Sequence, residues 1–470
     1  MKKQFLSFLL LLSFVVSVSA QKAQPARVDA LETNLRRHVT YLASDKLEGR
    51  RTGERGATYA AGYVANQFAR MRLKPGARSA NGKPSYMQSF SYTPVRNPHA
   101  DAPEPTKGVI ATNAKAGYNI IGILDGHDRV LKNEAIVIGA HYDHLGRGGQ
   151  GSLAANSTEI HHGADDNASG TAAIIELARQ FAKEKKNKRT IIFIAFSGEE
   201  DGLFGSKFYV NNPVFPLDKT VAMINLDMVG RLNDKKLTIG GIGTASEWKP
   251  LVESKNSIPN SSNVKILSMP GIPGNPDMDT PPGTGRIPKL SERLNNFVLQ
   301  LNEDGFGPSD HSSFYGKQIP VLFFFTGTHL DYHKPSDTAD KINYVGLQQI
   351  VAYVAAIAKA VDENPQRPTY TVAKSANTGG RTGFSISLGT IPTYADSTDG
   401  MVLDGVRENS PASRAGLKTG DKMVKLAGKD VKNVYDYTAI LGEMKADVEY
   451  EVVIVRGRET LTLKITPVKR

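Results

Sequence analysis

The chain predicts an α/β protein with a mostly parallel central sheet and helices on both faces, followed by a small β-rich domain. Three observations carry this. Short, nearly continuous apolar runs such as Arg189 to Phe196 (RTIIFIAF) alternate with helical periodicities, as buried parallel strands and crossover helices do. The chain has 470 residues, more than one ordinary core holds. A Pro/Asn/Gly-containing stretch, 362–380, then separates a peptidic unit of residues 21–361 from a last segment, 381–470, with shorter strands and Gly-Asp turns.

Taken in order, Val28, Leu31, Leu35, Val39 and Leu42 repeat at helical spacing. A loop, SDKLEGRRTGERG, follows. Ala57, Ala60, Ala61, Val64, Phe68 and Met71 mark a second helix that Lys74-Pro75-Gly76 ends. Residues 77–117 read as loop with short strands. Tyr118 to Leu124, Ala135 to Ala140, Arg189 to Phe196, Val221 to Leu226 and Pro320 to Phe325 read as strands. Gly170 to Phe181, Gly202 to Val210 and Tyr344 to Val361 read as helices. Residues 256–310 form a Pro-rich insertion with a helical stretch near Leu290 to Leu301. In the last segment, Met401 to Val406, Met423 to Leu426 and Tyr450 to Val455 read as strands, and Val434 to Met444 as a helix.

Composition excludes several function classes. Residues 1–20 have the form of a secretory leader: Lys2 and Lys3, an apolar stretch from Phe5 to Val18, and a small-residue site at Val18-Ser19-Ala20. The stretch is shorter than the roughly 20 residues a membrane span needs. An exported protein, periplasmic or extracellular with no span after leader removal, is the expectation; an uncleaved anchor is the alternative. The chain has no cysteine, so thiol nucleophiles, thiolate ligands and disulfides are excluded. A net charge of +11 invites a nucleic-acid reading, but the basic residues are scattered. The densest run, Lys183 to Arg189, falls where a helix ends and cations suit its dipole. No nucleic-acid partner is expected.

The chemistry gathers where strands end. His141-Tyr142-Asp143 follows one apolar run, Gly163 to Gly170 (GADDNASG) opens a helix, and Ser197-Gly198-Glu199-Glu200 follows another strand. Asp227 and His333 each follow a further strand. Ligands of open α/β sheets bind beyond the carboxyl ends of the strands. Hydrolysis of an unactivated amide needs a strong nucleophile and oxyanion stabilisation, which a pair of divalent ions sharing a water supplies. With Cys absent, such a pair is held by His, Asp and Glu. The inventory reads as Asp165 bridging, with His141, Glu200, Asp227 and His333 as terminal ligands. Glu199 is the spare carboxylate, placed to take the water's proton and pass it to the leaving amine. His144, His161 and His162 read as cleft residues rather than ligands.

The set AHYDH, GADDNASG, SGEED, NLDMVG and HKPSD, in this order, resembles the di-zinc aminopeptidases of metallopeptidase family 28, from about Leu31 to Val361 and including LEGRRTGERG. The resemblance implies a Zn-exopeptidase, phosphorylase/hydrolase-like fold and two Zn2+ per chain. It implies that His141 and Asp227 bind one zinc, Glu200 and His333 the other, and that Asp165 bridges. Glu199 matches the family's general base and Asp143 the residue that orients the first histidine. Asp166 matches the position following a cis peptide bond. The implied activity is removal of N-terminal residues from peptides with a free N-terminus. Glu303, Asp304, His311 and Tyr332 are the candidate substrate contacts.

The last segment resembles a bacterial PDZ domain, through SPASRAGLKTGD above all. Such a domain captures an extended peptide by strand addition and its carboxylate in a nest of backbone amides. The nest candidates are Gly383, Phe384 and Ser385. The alternative is a small β-domain used only for packing. For the whole chain, two other readings stand beside the aminopeptidase: a glutaminyl-cyclase-like acyltransferase with one zinc, and a peptide-binding PDZ scaffold whose metal site is structural.

Overall fold

A computed structural model describes residues 30–93, 114–149, 157–256, 296–327, 331–373, 386–392, 399–406, 410–432 and 434–469, with residues 152, 154 and 329. The leader, most of the Pro-rich insertion and the nest candidates Gly383 to Ser385 lie outside them. Nine strands form the main sheet: β1 (Lys74–Pro75), β2 (Met87–Tyr92), β3 (Lys115–Leu124), β4 (Ala135–His141), β5 (Thr190–Phe196), β6 (Thr220–Leu226), β7 (Lys236–Gly240), β8 (Val298–Leu301) and β9 (Val321–Phe325). At the centre β5, β4, β6 and β9 run parallel. Every residue of β4, β5 and β6 is buried, which is why they read as unbroken apolar runs.

The margins depart from the expected parallel pattern. β3 runs antiparallel to β5 and is itself flanked by antiparallel β1 and β2. β7 runs antiparallel to β9, with β8 parallel beyond it. The expected helix near Leu290 to Leu301 is, over its described end, strand β8. Strands β2, β7 and β8 escape a periodicity reading because they are marginal strands with mixed burial, not runs enclosed on both faces.

Helices cover both faces. Helices α1 (Ala30–Leu42), α2 (Arg55–Arg70), α3 (Gly170–Glu184), α5 (Trp248–Asn256) and α7 (Tyr344–Glu363) share one core, with Leu35, Phe68, Ile174, Trp248 and Ile350 inaccessible to solvent. Helices α4 (Phe204–Asn211) and α6 (His311–Tyr315) pack the other face through Tyr209 and Phe314 against Val137, Ile194 and Phe196. The charged run after α3 ends differently from a solvated terminus. Lys185 closes α3 in a left-handed conformation, but Arg189 is fully buried. Its guanidinium donates to the carbonyls of Val361, Asp362 and Asn364 and pairs with Glu134 at 2.8 Å. It therefore satisfies the last carbonyls of α7, which have no partner within the helix.

Residues 364–373, expected to be free linker, are fastened along the amino-terminal ends of the central strands. Arg367 reaches Glu134 and the Asp218 carbonyl, just ahead of β4 and β6. Thr369 bonds Glu247, and Thr371 donates from its hydroxyl to the Gly243 carbonyl and from its amide to the Thr244 carbonyl, beside the start of β9. Tyr315 accepts from the Ala373 amide. The C-terminal unit has its own core, built from Met401, Leu403, Met423, Leu426, Val452 and Ile454 around helix α9 (Val434–Glu443), beyond a short helix α8 (Pro411–Arg414). Its strands Met401–Val406, Lys422–Leu426 and Tyr450–Arg456 fall where expected.

The Arg189 cap generates a stability prediction. Breaking a buried ion pair from one side costs about 3–5 kcal/mol. Arg189→Met should lower the urea midpoint of the main-sheet unit by a corresponding amount with the slope unchanged. An unshifted midpoint would show that the cap contributes nothing.

Candidate metal centre

The carboxyl ends of β4, β5, β6 and β9 converge on one concavity. His141 is the last residue of β4, Asp227 follows β6 directly, Glu199 and Glu200 follow β5, and His333 sits in the loop after β9. The GADDNASG turn is stitched to these ends. Thr171 donates to the His141 carbonyl at 2.7 Å and Ser169 accepts from the Val229 amide at 3.0 Å. Asn167 donates to the Leu226 carbonyl and accepts from the amides of Gly170 and Met228. Gly163 opens the turn at φ +55, where a Cβ would fall 2.2 Å from the Asp166 carbonyl oxygen. Only glycine fits that conformation and that approach.

Two neighbouring clusters result, joined by one carboxylate. His141 Nε2 lies 3.2 Å from Asp227 Oδ1 and 3.4 Å from Asp166 Oδ1. His333 Nε2 lies 3.2 Å from Asp166 Oδ2 and 3.2 Å from Glu200 Oε2. The side chain between the histidines is Asp166, one residue past the expected Asp165. Asp165 is committed elsewhere: Oδ1 accepts from the Gly230 amide at 2.6 Å, and Oδ2 lies 3.2 Å from His329 Nε2. The cis peptide bond joins Asp166 to Asn167, so Asp166 precedes it. Two adjacent aspartates in a turn face different ways, and sequence alone does not say which faces the histidines.

Asp143 stands behind His141, with Oδ1 3.7 Å from Nδ1 and 3.3 Å from the Glu199 amide it accepts. Glu199 belongs to neither histidine–carboxylate pair, although it approaches His141 and Glu200 within 4.8 Å. Burial pushes its carboxyl well above the usual range; Asp227, Glu200 and Asp310 add to this, and His141 opposes it. Burial draws the His141 imidazole down, but Asp227, Glu199, Asp143 and Asp166 outweigh it and hold it well above its ordinary value. A concavity this rich in buried carboxylate favours cations.

Several residues that hold the site have weak sequence signals. Asp337, of HKPSD, accepts from the amides of Asp165 and Asp166 at 2.8 and 3.1 Å and so aims the turn. Arg50, of LEGRRTG, is fully buried and donates to the carbonyls of Tyr142, His162 and Gly163. Burial lowers its guanidinium to about 10 against the surrounding Asp166, Asp143, Asp337 and Glu200. Both motifs are visible in the sequence, but their hydrogen bonds run to backbone, which leaves no mark there. Asp310 is buried and pushed up to about 7 by burial, reinforced by Asp143 and Asp227.

The expected substrate contacts separate. Tyr332 stacks on His333 with ring centroids 3.8 Å apart. Glu303 and Asp304 lie away from the cluster. The Asp304 carbonyl accepts from Gly241, which follows β7 at the amino-terminal end of β9. The antiparallel run of β7 and β8 delivers them to the wrong pole. His311 stacks on Phe323 at 4.4 Å and is buried, which lowers its imidazole to about 3. His161 bonds Ser152 and the Glu159 carbonyl, and His162 bonds Asp45 and the Pro335 carbonyl.

The donor set fits a pair of zinc ions. With Zn–N and Zn–O bonds of about 2.0–2.2 Å, two donors on one tetrahedral ion sit roughly 3.3–3.5 Å apart. The four pairs above, at 3.2 to 3.4 Å, have that spacing. Imidazole and carboxylate without thiolate suit Zn2+.

The model of Peptidase family M28 matches residues 119–280 and 284–358, and that of the PDZ domain residues 388–466. Leucine aminopeptidase 2 of Trichophyton rubrum is 25% identical over 278 residues, 53% of this chain and 47% of that protein. Aminopeptidase YwaD of Bacillus subtilis is 27% identical over 275 residues, 57% of this chain and 50% of that protein. The chain thus spans about half the length of these curated relatives. The solved structure of BSAP, a zinc aminopeptidase from Bacillus subtilis, aligns with 74% of this chain and 97% of its own at a TM-score of 0.46 and 18% identity. With the M28 match extending over half of its residues, the chain belongs to peptidase family M28 and carries a C-terminal PDZ domain.

Proposed function

We propose that the chain is an exported, zinc-dependent aminopeptidase that hydrolyses the N-terminal peptide bond of peptides. The observation that carries this reading is Asp166, whose two oxygens each face a separate histidine–carboxylate pair while Glu199 stands outside both. In this reading His141, Asp227 and Asp166 would hold one Zn2+, and His333, Glu200 and Asp166 the other. The pair supplies Lewis acidity to the scissile carbonyl and to the attacking water. Asp143, whose Oδ1 stands 3.7 Å from His141 Nδ1, backs the ring while Nε2 faces the cluster. Glu199 takes the proton from the water and delivers it to the leaving amine. Its raised affinity for a proton suits a group that must carry one between two partners. Tyr332 is the remaining candidate for a substrate contact. The second histidine–carboxylate pair favours a two-metal peptidase over a one-zinc cyclase. Export rests on the leader-like residues 1–20, and peptide capture by the PDZ domain is the proposed role of the tail.

Three measurements test this. The protein should release amines from aminoacyl anilides and spare their N-acetylated forms; a chelator should stop turnover and zinc restore it. Equal rates on blocked and free substrates would exclude an aminopeptidase. Glu199→Gln should retain two zinc ions by elemental analysis and lose about 10²–10⁴-fold in kcat. Normal turnover in that variant would remove Glu199 from the chemistry. Asp166→Asn should lose both ions on dialysis, whereas Asp165→Asn should weaken them by no more than the roughly 10–100-fold typical of an outer partner. The reverse order would return the bridge to Asp165.

A further inference from the structure

The sequence AHYDHLG places a second histidine three residues past His141. His144 is buried, and its Nδ1 lies 2.7 Å from Glu200 Oε1. The other oxygen of the same carboxylate, Oε2, faces His333 Nε2 at 3.2 Å. Donor atoms of His144, Asp166 and Glu200 all lie within 4.8 Å of one another, so two roles compete for His144: ligand of the cation, or hydrogen-bond donor to a ligand.

The distances separate the two roles. Donors sharing a tetrahedral zinc are roughly 3.3–3.5 Å apart, and the four pairs assigned to the two ions lie at 3.2 to 3.4 Å. His144 to Glu200, at 2.7 Å, is shorter than that edge and has the length of a charge-assisted hydrogen bond. His144 to Asp166 Oδ2, at 3.8 Å, is longer than that edge. The ring is also held in place. Its amide donates to the Arg50 carbonyl, whose guanidinium is bound to the Gly163 carbonyl. Gly163 lies so close that a Cβ there would come within 2.5 Å of the ring. On the other side it meets His333 edge-on, with centroids 5.8 Å apart.

We propose that His144 is a positioning residue: it donates from Nδ1 to Glu200 Oε1, so that Glu200 offers only Oε2 to the cation it shares with His333. Occupying one carboxylate oxygen keeps Glu200 monodentate and leaves a coordination position of that ion for substrate. The proposal rests on the two-zinc reading of the site and not on the identity of the substrate.

X-ray absorption on the di-zinc protein counts imidazoles per metal, and chelator competition gives the two zinc affinities. The parent should show one imidazole per zinc, unchanged in His144→Ala and His144→Asn. His144→Ala should weaken one of the two zinc sites about 10–100-fold and leave the other within about threefold. His144→Asn, whose side-chain amide can donate from near the Nδ1 position, should restore the weakened site to within about threefold. An imidazole count above one per zinc that falls in the variants would make His144 a ligand and overturn the proposal. Unchanged affinities in His144→Ala, or equal loss at both sites, would overturn it too. A parent that binds fewer than two zinc ions would sink the two-zinc reading together with this one. A parent that binds two and cleaves no peptide would sink only the peptidase reading and leave the His144 result standing.

Discussion

The structure depends on confining mutually repelling carboxylates in a buried concavity at one end of a sheet. Asp143, Asp166, Glu199, Glu200, Asp227 and Asp310 crowd the ends of β4, β5 and β6. An isolated buried carboxylate is costly, and several together are more so. The fold offsets this with fixed donors. Backbone amides point at Asp165 and Asp143, and the Arg50 guanidinium supplies a buried positive charge. What these donors leave uncompensated is the field that draws in two dications. Stability of the apoprotein and affinity for metal are therefore opposed quantities set by the same side chains.

Packing of the central strands was legible because enclosure on both faces writes itself as uninterrupted Val, Ile and Phe. The placement of His141, Glu200, Asp227 and His333 was legible for a related reason: each comes directly after such a run or in the loop that follows it. The bridge was not. Asp165 and Asp166 are identical in type and adjacent, and their division of labour is decided by the Gly230 amide and His329, both remote in the chain. Arg50 and Arg189 were read as a loop residue and a surface cation. Their buried roles depend on carbonyl oxygens, which every residue possesses and which carry no compositional signal.

Direction of travel accounts for the remaining differences. Glu303 and Asp304 follow a strand, as the metal-site residues do, but that strand runs opposite to β9 by way of its antiparallel neighbour β7. Strand polarity is a property of the connection rather than of the strand. Where the intervening segment is long and rich in proline, local pattern cannot supply it. His311 shows a related limit, since a histidine in a familiar motif can be spent on stacking against Phe323.

The strap formed by residues 364–373 has a geometric corollary. Its anchors at Glu134, Asp218, Glu247 and Thr244 all belong to the pole of the sheet remote from the histidines. A seven-residue strand is about 23 Å long, and this depth of protein separates the root of the tail from the histidine cluster. From Ala373 to Ile386, where the described backbone resumes, the covalent chain can reach at most roughly 45 Å. The covalent chain thus leaves the main-sheet unit for the appended domain at the pole opposite the histidines.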